Sequence, residues 1–260
     1  MTRRFSKTPT VDRRRFLTRA LQATGFLLLA GCDSLSRSDW FPQLLGKTEN
    51  ASEKVQRLLS PRQAMAKEFT PDDLSPVFPA NGTSNPESEA YQALAKNGFA
   101  DWKLEIGGLV HDPASFSLDE LRAFPSRTQI TRHDCVEGWS AIAKWKGARL
   151  SALLERVRPL PSARYVVFHC ADPDEDGQPY YESIDFEDAH HPQTILAYEI
   201  NDTALPIQHG APIRLRVERQ LGYKQAKYLM QIELVESVES IAGGRGGYWE
   251  DRGYEWYAGI

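Results

Sequence analysis

The chain is poor in cysteine and has none of the short signatures that usually announce chemistry. Its 260 residues include three cysteines. No Cys-x-x-Cys, His-Glu-x-x-His or Gly-x-Ser-x-Gly occurs. These absences exclude a dithiol redox motif, a helix-borne zinc protease site and the nucleophile elbow of an α/β-hydrolase. The glycine-rich tail lacks the lysine and Ser/Thr of a phosphate-binding loop, so nucleotide binding is not expected there. There is no internal repeat and no regular βαβ rhythm. The apolar run Ala20–Ala30 is shorter than the roughly 20 residues of a relaxed membrane-spanning helix. Net positive charge is confined to the N-terminal segment. Residues 1–31 hold seven Arg and Lys against one Asp, a charge of +6, while the whole chain carries −4, which leaves −10 on residues 32–260. Nothing in so acidic a body offsets phosphate repulsion, which argues against nucleic-acid binding. With 41% hydrophobic residues it can still bury a sizeable core.

Residues 1–31 read as a targeting segment. Arg13-Arg14-Arg15-Phe16-Leu17 is a twin-arginine pattern, and Leu29-Ala30-Gly31-Cys32 resembles a bacterial lipobox in which Cys32 would be acylated. Asp33 resembles the signal that retains lipoproteins at the inner membrane. The expectation is lipid anchoring on the periplasmic side of that membrane; an uncleaved anchor is the alternative. Twin-arginine export is used by proteins that fold first, often around a cofactor.

Residues 32–77 are polar and interrupted by Pro42, Pro61, Pro71 and Pro76, as in a tether and wrapping segment, with a short helix from Ser52 to Leu59. "FPANGTSNP", residues 78–86, is a loop by composition, and a helix is expected over Glu87–Lys96. "WKLEIGGLV" alternates as a strand. Ser117 and Glu120 form a capping box that opens a helix over Leu118–Phe124. "RTQIT" (127–131) is a strand running into Cys135, Ser151 is expected to cap another helix, and "RYVVFHC" (164–170) is apolar enough for a central strand. "PIRLRVE" and "YLMQIELVES" alternate with period two. The tail 241–260 is rich in glycine and aromatics and reads as a strap on the body or a lid over a site. Short strands mixed with short helices indicate an α+β domain with mixed or antiparallel sheets.

If Cys32 is lipidated, Cys135 and Cys170 remain, and a disulfide between them is the bland reading for an oxidising compartment. The surroundings of Cys135, "TRHDCVEGWS", suggest otherwise. Arg132 and His133 favour a thiolate, Asp134 and Glu137 oppose it, and a thiolate is both a soft metal ligand and a nucleophile. A cysteine hydrolase or peroxidase using His169 or His209, and a non-enzymatic lipoprotein binding module, both remain open on these residues. Gly222-Tyr223-Lys224-Gln225-Ala226-Lys227, after Arg214 and Arg216, offers cations and backbone N–H groups as a cradle for phosphate or pyran oxygens. The His190-His191 pair reads as a surface cap at a helix end.

Together, "HDCVEGWS", "VVFHCAD" and "LPIQHGAPIRLRVERQLGYKQAKY" resemble the molybdopterin domain of the sulfite-oxidase fold over about residues 78–240. The resemblance includes twin-arginine-exported bacterial members, periplasmic methionine sulfoxide reductases among them. It implies an α+β, sulfite-oxidase-type fold with mixed sheets and short helices, and a molybdenum–molybdopterin oxidoreductase moving an oxygen atom to or from a small substrate. Cys135 matches the thiolate that ligates molybdenum, which sets the disulfide reading aside. His209, Arg214, Gln225 and Lys227 match positions that contact the pterin and its phosphate, Asn81 matches an early asparagine of that site, and Cys170 falls where the sulfoxide reductases carry a threonine near the metal. Arg132, His133 and His169 are expected at the mouth or behind the ligands. The sulfite-binding arginine pattern is not evident, and too few residues follow 240 for the dimerisation domain of sulfite oxidases, so a sulfoxide is favoured over sulfite. A membrane haem-b subunit or a periplasmic cytochrome c is the implied electron partner.

Overall fold

The computed structural model describes residues 54–58, 64–173 and 177–260. The targeting segment, Cys32 and the ends of the expected 52–59 helix lie outside these residues; residues 54–58 are helical. The body belongs to one unit, Gln56–Ile260.

Two five-stranded sheets build it. The first has the order β2-β1-β10-β5-β6, formed by β1 (Lys103–Gly108), β2 (Ala114–Ser117), β5 (Tyr165–Pro173), β6 (Pro179–Asp185) and β10 (Leu229–Val235). β1 runs parallel to β10 and the other pairs are antiparallel, so the sheet is mixed. The second has the order β3-β4-β7-β8, with β3 (Ser126–Asp134), β4 (Ser140–Arg149), β7 (Ile195–Ile200), β8 (Thr203–Ala204) and β9 (Arg214–Arg216), which pairs with β7. All its pairs are antiparallel.

The main core draws on both sheets: Leu104, Ile106, Val166, Phe168, Ile232 and Leu234 from the first, Ala148, Leu196 and Leu215 from the second. β5 is an interior strand, between β10 and β6, as its apolar run leads one to expect. β7 is buried on both faces, and alternation sends Leu196 and Tyr198 to the main core and Ile195 and Ala197 to a smaller cluster around Trp145 and Phe78. Each fully buried Leu, Ile, Val or Phe among them contributes about 1.5–3 kcal/mol of transfer free energy.

Besides residues 54–58, one short α-helix precedes β1 and three lie between strands among the described residues. α1 (Glu89–Lys96) starts at Ser88, whose side chain accepts from Tyr91 N–H. In α2 (Leu118–Ala123) the Ser117/Glu120 box forms and Phe124 is the C-cap. α3 (Leu150–Val157) buries Leu150, Leu153, Leu154 and Val157, one face at helical spacing. Its N-cap is Arg149, not the expected Ser151. The helix follows β4 directly, with its first N–H, that of Leu150, donating to Thr194 O at 3.2 Å, so Ser151 falls inside the first turn rather than before it. α4 (Phe186–Ala189) ends at exposed His190, which caps the Phe186 carbonyl; His191 is buried against Ala64 O rather than at the surface. β9 does not alternate. All three of its residues are buried, arginines included.

Candidate functional site

Cys135 occupies the tip of the β3–β4 hairpin, whose register runs from Ser126↔Ala148 to Asp134↔Ser140. Its N–H donates to Trp139 O at 2.9 Å and its carbonyl accepts from Gly138 N–H at 3.0 Å. The thiol is thus mounted on a closed turn at the end of a long ladder. Asn81 Nδ2 donates to Cys135 Sγ at 3.4 Å, from the 78–86 segment, which is a loop as expected. Cys135 and Cys170 are both free, so no disulfide joins them.

A cavity of about 280 Å³ opens beside this sulfur. Of the residues anticipated from sequence, Asn81, His133, Cys135, His209, Arg214, Gln225 and Lys227 share its wall. Arg132 does not. Its side chain is 55% exposed and paired with Asp134. His169 lies on the opposite face of β5, against Glu233 at 2.9 Å, because side chains 169 and 170 alternate across the sheet. Cys170 is buried behind the wall, its thiol held well above the ordinary range by burial and then by Asp172 and Glu182. Lys224, expected in the cradle, is instead fully buried between Glu182, at 2.6 Å, and Glu250.

The electrostatics differ from those expected around the thiol. His133 is not a cation. Burial, then Arg216 and Arg214, push it well below the usual imidazole range. Arg216 Nη1 donates to its Nδ1 at 3.0 Å, and a guanidinium only donates, so the ring proton resides on Nε2. Arg216 is in turn held by Glu218 at 2.8 and 2.6 Å and lies over the Trp145 ring at 4.4 Å. Gly222 packs against this imidazole so closely that a Cβ would come within 2.4 Å of Nε2. Burial, with Arg214 and Lys227, lowers His209 to about 4, so it too is neutral.

The wall's cations are Arg214 and Lys227. Burial and Arg216 pull Arg214 down to about 9, still charged at neutral pH; burial and Arg214 pull Lys227 to about 8. Arg214 donates to His209 O and Gln225 O, both at 3.1 Å, while its buried Nε has no partner. Lys227 donates to Asn81 O at 2.8 Å and to Thr83 O. Asp172 was missed from sequence. It lines the cavity with Oδ1 buried and unpartnered, and burial raises it to about 7. It stands two residues past Cys170 on β5, hence on the same face, so the period of the strand could have found it.

The tail is both strap and wall. Tyr248 N–H donates to Tyr181 O at 3.0 Å, Trp256 Nε1 to Ser183 Oγ at 2.9 Å, and Glu250 binds Lys224, while Tyr248, Trp249 and Tyr254 face the cavity.

A cysteine-bearing α+β domain with a cationic, partly unsatisfied cavity is what a bound anionic cofactor would need. The oxidoreductase molybdopterin binding domain matches residues 91–241, and the chain belongs to that family. It is 37% identical over 251 residues, covering 95% of itself and 87% of the relative, to an Azospira oryzae protein provisionally named protein-methionine-sulfoxide reductase subunit YedZ1. It is 32% identical over 247 residues to the protein-methionine-sulfoxide reductase catalytic subunit MsrP of Xanthomonas axonopodis pv. citri, covering 89% of this chain and 72% of that one. Among solved structures, the sulfane dehydrogenase SoxCD of Paracoccus pantotrophus superposes with a TM-score of 0.49 at 22% identity, covering 73% of this chain and 52% of that one.

The residues present fit the family's molybdenum–molybdopterin. Among the described residues no group of three His, Cys, Asp or Glu side chains could cage a bare metal ion, whereas one soft sulfur suits a metal that arrives with other donors. Arg214 and Asp172 line the cavity and each keeps one buried polar atom, Nε and Oδ1, without a partner, and two cations suit a phosphate.

Proposed function

We propose that this chain is the catalytic component of an exported, molybdopterin-dependent sulfoxide reductase acting on a small sulfoxide. The observation that carries the reading is the Cys135 thiol, fixed by Asn81 at 3.4 Å in the wall of a cationic cavity that holds unsatisfied polar atoms. The names of the MsrP and YedZ1 relatives support the sulfoxide. In this reading Cys135 ligates molybdenum, and Asn81, His209, Arg214, Gln225 and Lys227, with Asp172, hold the pterin and its phosphate. The cofactor, when bound, supplies two-electron oxygen-atom chemistry, so that sulfoxide, two protons and two electrons give sulfide and water.

The chain's own part is placement and charge. The hairpin ladder fixes the sulfur and the Asn81 amide donates to it. Arg214 and Lys227 offset anionic charge. Asp172, raised to about 7, can hold a proton at Oδ1 near neutral pH. A cysteine hydrolase is disfavoured because the side-chain partner of Cys135 Sγ is an amide, while Nδ1 of neighbouring His133 is engaged by Arg216.

The twin-arginine pattern and lipobox extend the reading to a tether on the periplasmic side of the inner membrane, with residues 1–31 as signal, 32–77 as tether, 78–240 as the cofactor domain and 241–260 as strap. Electrons would come from a membrane haem-b subunit or a periplasmic cytochrome c, and a charge of −10 on residues 32–260 suits a basic cytochrome. The test is elemental analysis of the folded, exported protein with fluorescence of its oxidised pterin. About one molybdenum per chain is expected. Cys135→Ser should abolish sulfoxide reduction and keep most of the pterin. Full activity in that variant, or neither metal nor pterin from a host that makes the cofactor, would overturn the assignment.

A further inference from the structure

The geometry points to an aromatic subsite, contributed largely by the C-terminal strap, that receives the apolar substituent of the sulfoxide; the inference rests on the reaction proposed above. Among the described residues eight large apolar side chains are exposed, and three of them, Val136, Trp249 and Tyr254, line this one cavity. Val136 follows Cys135 directly and is 48% exposed; Trp249 and Tyr254 are 37% and 38% exposed. Apolar surface left open and concentrated at one mouth marks a binding surface.

The rings form a continuous run toward the thiol. Trp249 and Tyr254 have centroids 5.2 Å apart at 30°, and Tyr254 meets Tyr223 edge-on at 5.2 Å. Tyr223 follows Gly222, which rests on His133 and the Asp134 carbonyl, so the run ends beside the hairpin that carries Cys135. It is also held in place. Tyr223 Oη donates to Glu255 O at 2.7 Å, and Glu250, the neighbour of Trp249, is buried on Lys224.

Charge divides the cavity's residues into two groups. Arg214, Lys227 and Asp172 are buried or half-buried and polar, which suits the anionic cofactor; Val136, Trp249 and Tyr254 are exposed and uncharged, and the one carboxylate beside them, Glu137, accepts from Trp139 Nε1 at 3.2 Å. An occupant of the second group should be uncharged and apolar, and aromatic rings favour sulfur and ring partners. The substrate class is therefore a sulfoxide carrying a ring-sized apolar group.

The test compares dimethyl sulfoxide with methyl phenyl sulfoxide, reduced by the holoenzyme with a viologen donor, in wild type, Trp249→Ala and Trp249→Phe. In parallel, methyl phenyl sulfone, which has the same substituent but is not reduced, is titrated by tryptophan quenching. We expect Trp249→Ala to raise KM for methyl phenyl sulfoxide about tenfold, with kcat and the KM for dimethyl sulfoxide unchanged, Trp249→Phe to recover most of the loss, and the sulfone to bind wild type about tenfold more tightly than Trp249→Ala. Equal changes for both sulfoxides, or sulfone binding indifferent to Trp249, would overturn the subsite. Trp249-dependent sulfone binding with no reduction of either sulfoxide would leave the subsite standing and remove the reaction assignment instead.

Discussion

Replacing Lys224 by Met should destabilise the protein by an amount that depends steeply on pH. Lys224, Glu182 and Glu250 are at most 1% exposed, and Lys224 is the cation that bridges the two carboxyl groups. One oxygen of each carboxyl, Oε2 in both cases, lacks a partner. Burial holds Glu182 well above the carboxylate range, Lys224 opposing and Glu250 reinforcing, and a proton shared between the two carboxyl groups gives both open oxygens a partner. With Lys224 charged the triad is then neutral. Met keeps most of the volume and removes the charge, so one buried carboxylate is stranded, at about 3–5 kcal/mol. The variant can relieve this by taking up a second proton. That carboxyl then titrates above its unfolded range, so its contribution is fully present at low pH and is lost as pH rises through the raised value. The added dependence is at most about 1.4 kcal/mol per pH unit for one proton. Urea unfolding of the apo-protein at pH 5.5 and pH 8 reads the effect. With a slope of about 2 kcal/mol/M, the midpoint should fall by about 2 M at pH 8 and clearly less at pH 5.5. Equal losses at both pH values would refute the shared proton, and a loss below about 1 kcal/mol at pH 8 would refute the buried pair itself.

Asp172→Asn should stabilise the apo-protein at pH 8 and leave it unchanged at pH 4. The native carboxyl sits at about 7 against an ordinary 3.8, so the stability of its protonated form is lost as pH rises through 7. At about 1.4 kcal/mol per unit the gain is at most about 4 kcal/mol, less whatever Lys227 returns, and the same urea series measures it. Gly222→Ala should cost about 1–3 kcal/mol and lower the pterin recovered per chain. Its Cβ would lie 2.4 Å from His133 Nε2, on a ring that Arg216 holds from the other side; unchanged pterin content would count against that contact mattering.

What could be read in advance was what is local in the chain. The Ser117/Glu120 box needs only a residue and its neighbour three positions on, and it forms. The apolar run 164–170 has no choice but burial, and nearly all of it becomes the interior strand β5. The mistakes concern residues whose surroundings are supplied from far away. Lys224 looked like a cation of the cradle beside Tyr223 and Gln225, but its partners are 42 and 26 positions distant. His133 looked like a cation beside Cys135, yet Arg216, 83 positions on, reaches its ring and keeps it neutral. Ser151 looked like a cap because its hydroxyl was visible in the sequence, whereas the β4 pairing and the Thr194 carbonyl that start the helix at Leu150 were not.

The same distinction runs through the site. Cys135 stood out through its own neighbours, Arg132, His133, Asp134 and Glu137, but the charged groups of the cavity wall are Arg214 and Lys227 with Asp172. These are brought in by β9, the segment after Gly222 and β5, and none adjoins the thiol in sequence. Buried charges have to be answered by partners, and partners arrive through topology. The strap shows this most plainly. Glu250 is one of three acidic residues in a glycine-rich tail, and its burial on Lys224, together with the Tyr248–Tyr181 and Trp256–Ser183 bonds, makes residues 248–254 a fixed wall rather than a loose end. If the triad loosens in Lys224→Met, Trp249 and Tyr254 should lose their set position as well. The variant would then weaken sulfone binding even at pH 5.5, where most of its stability is retained.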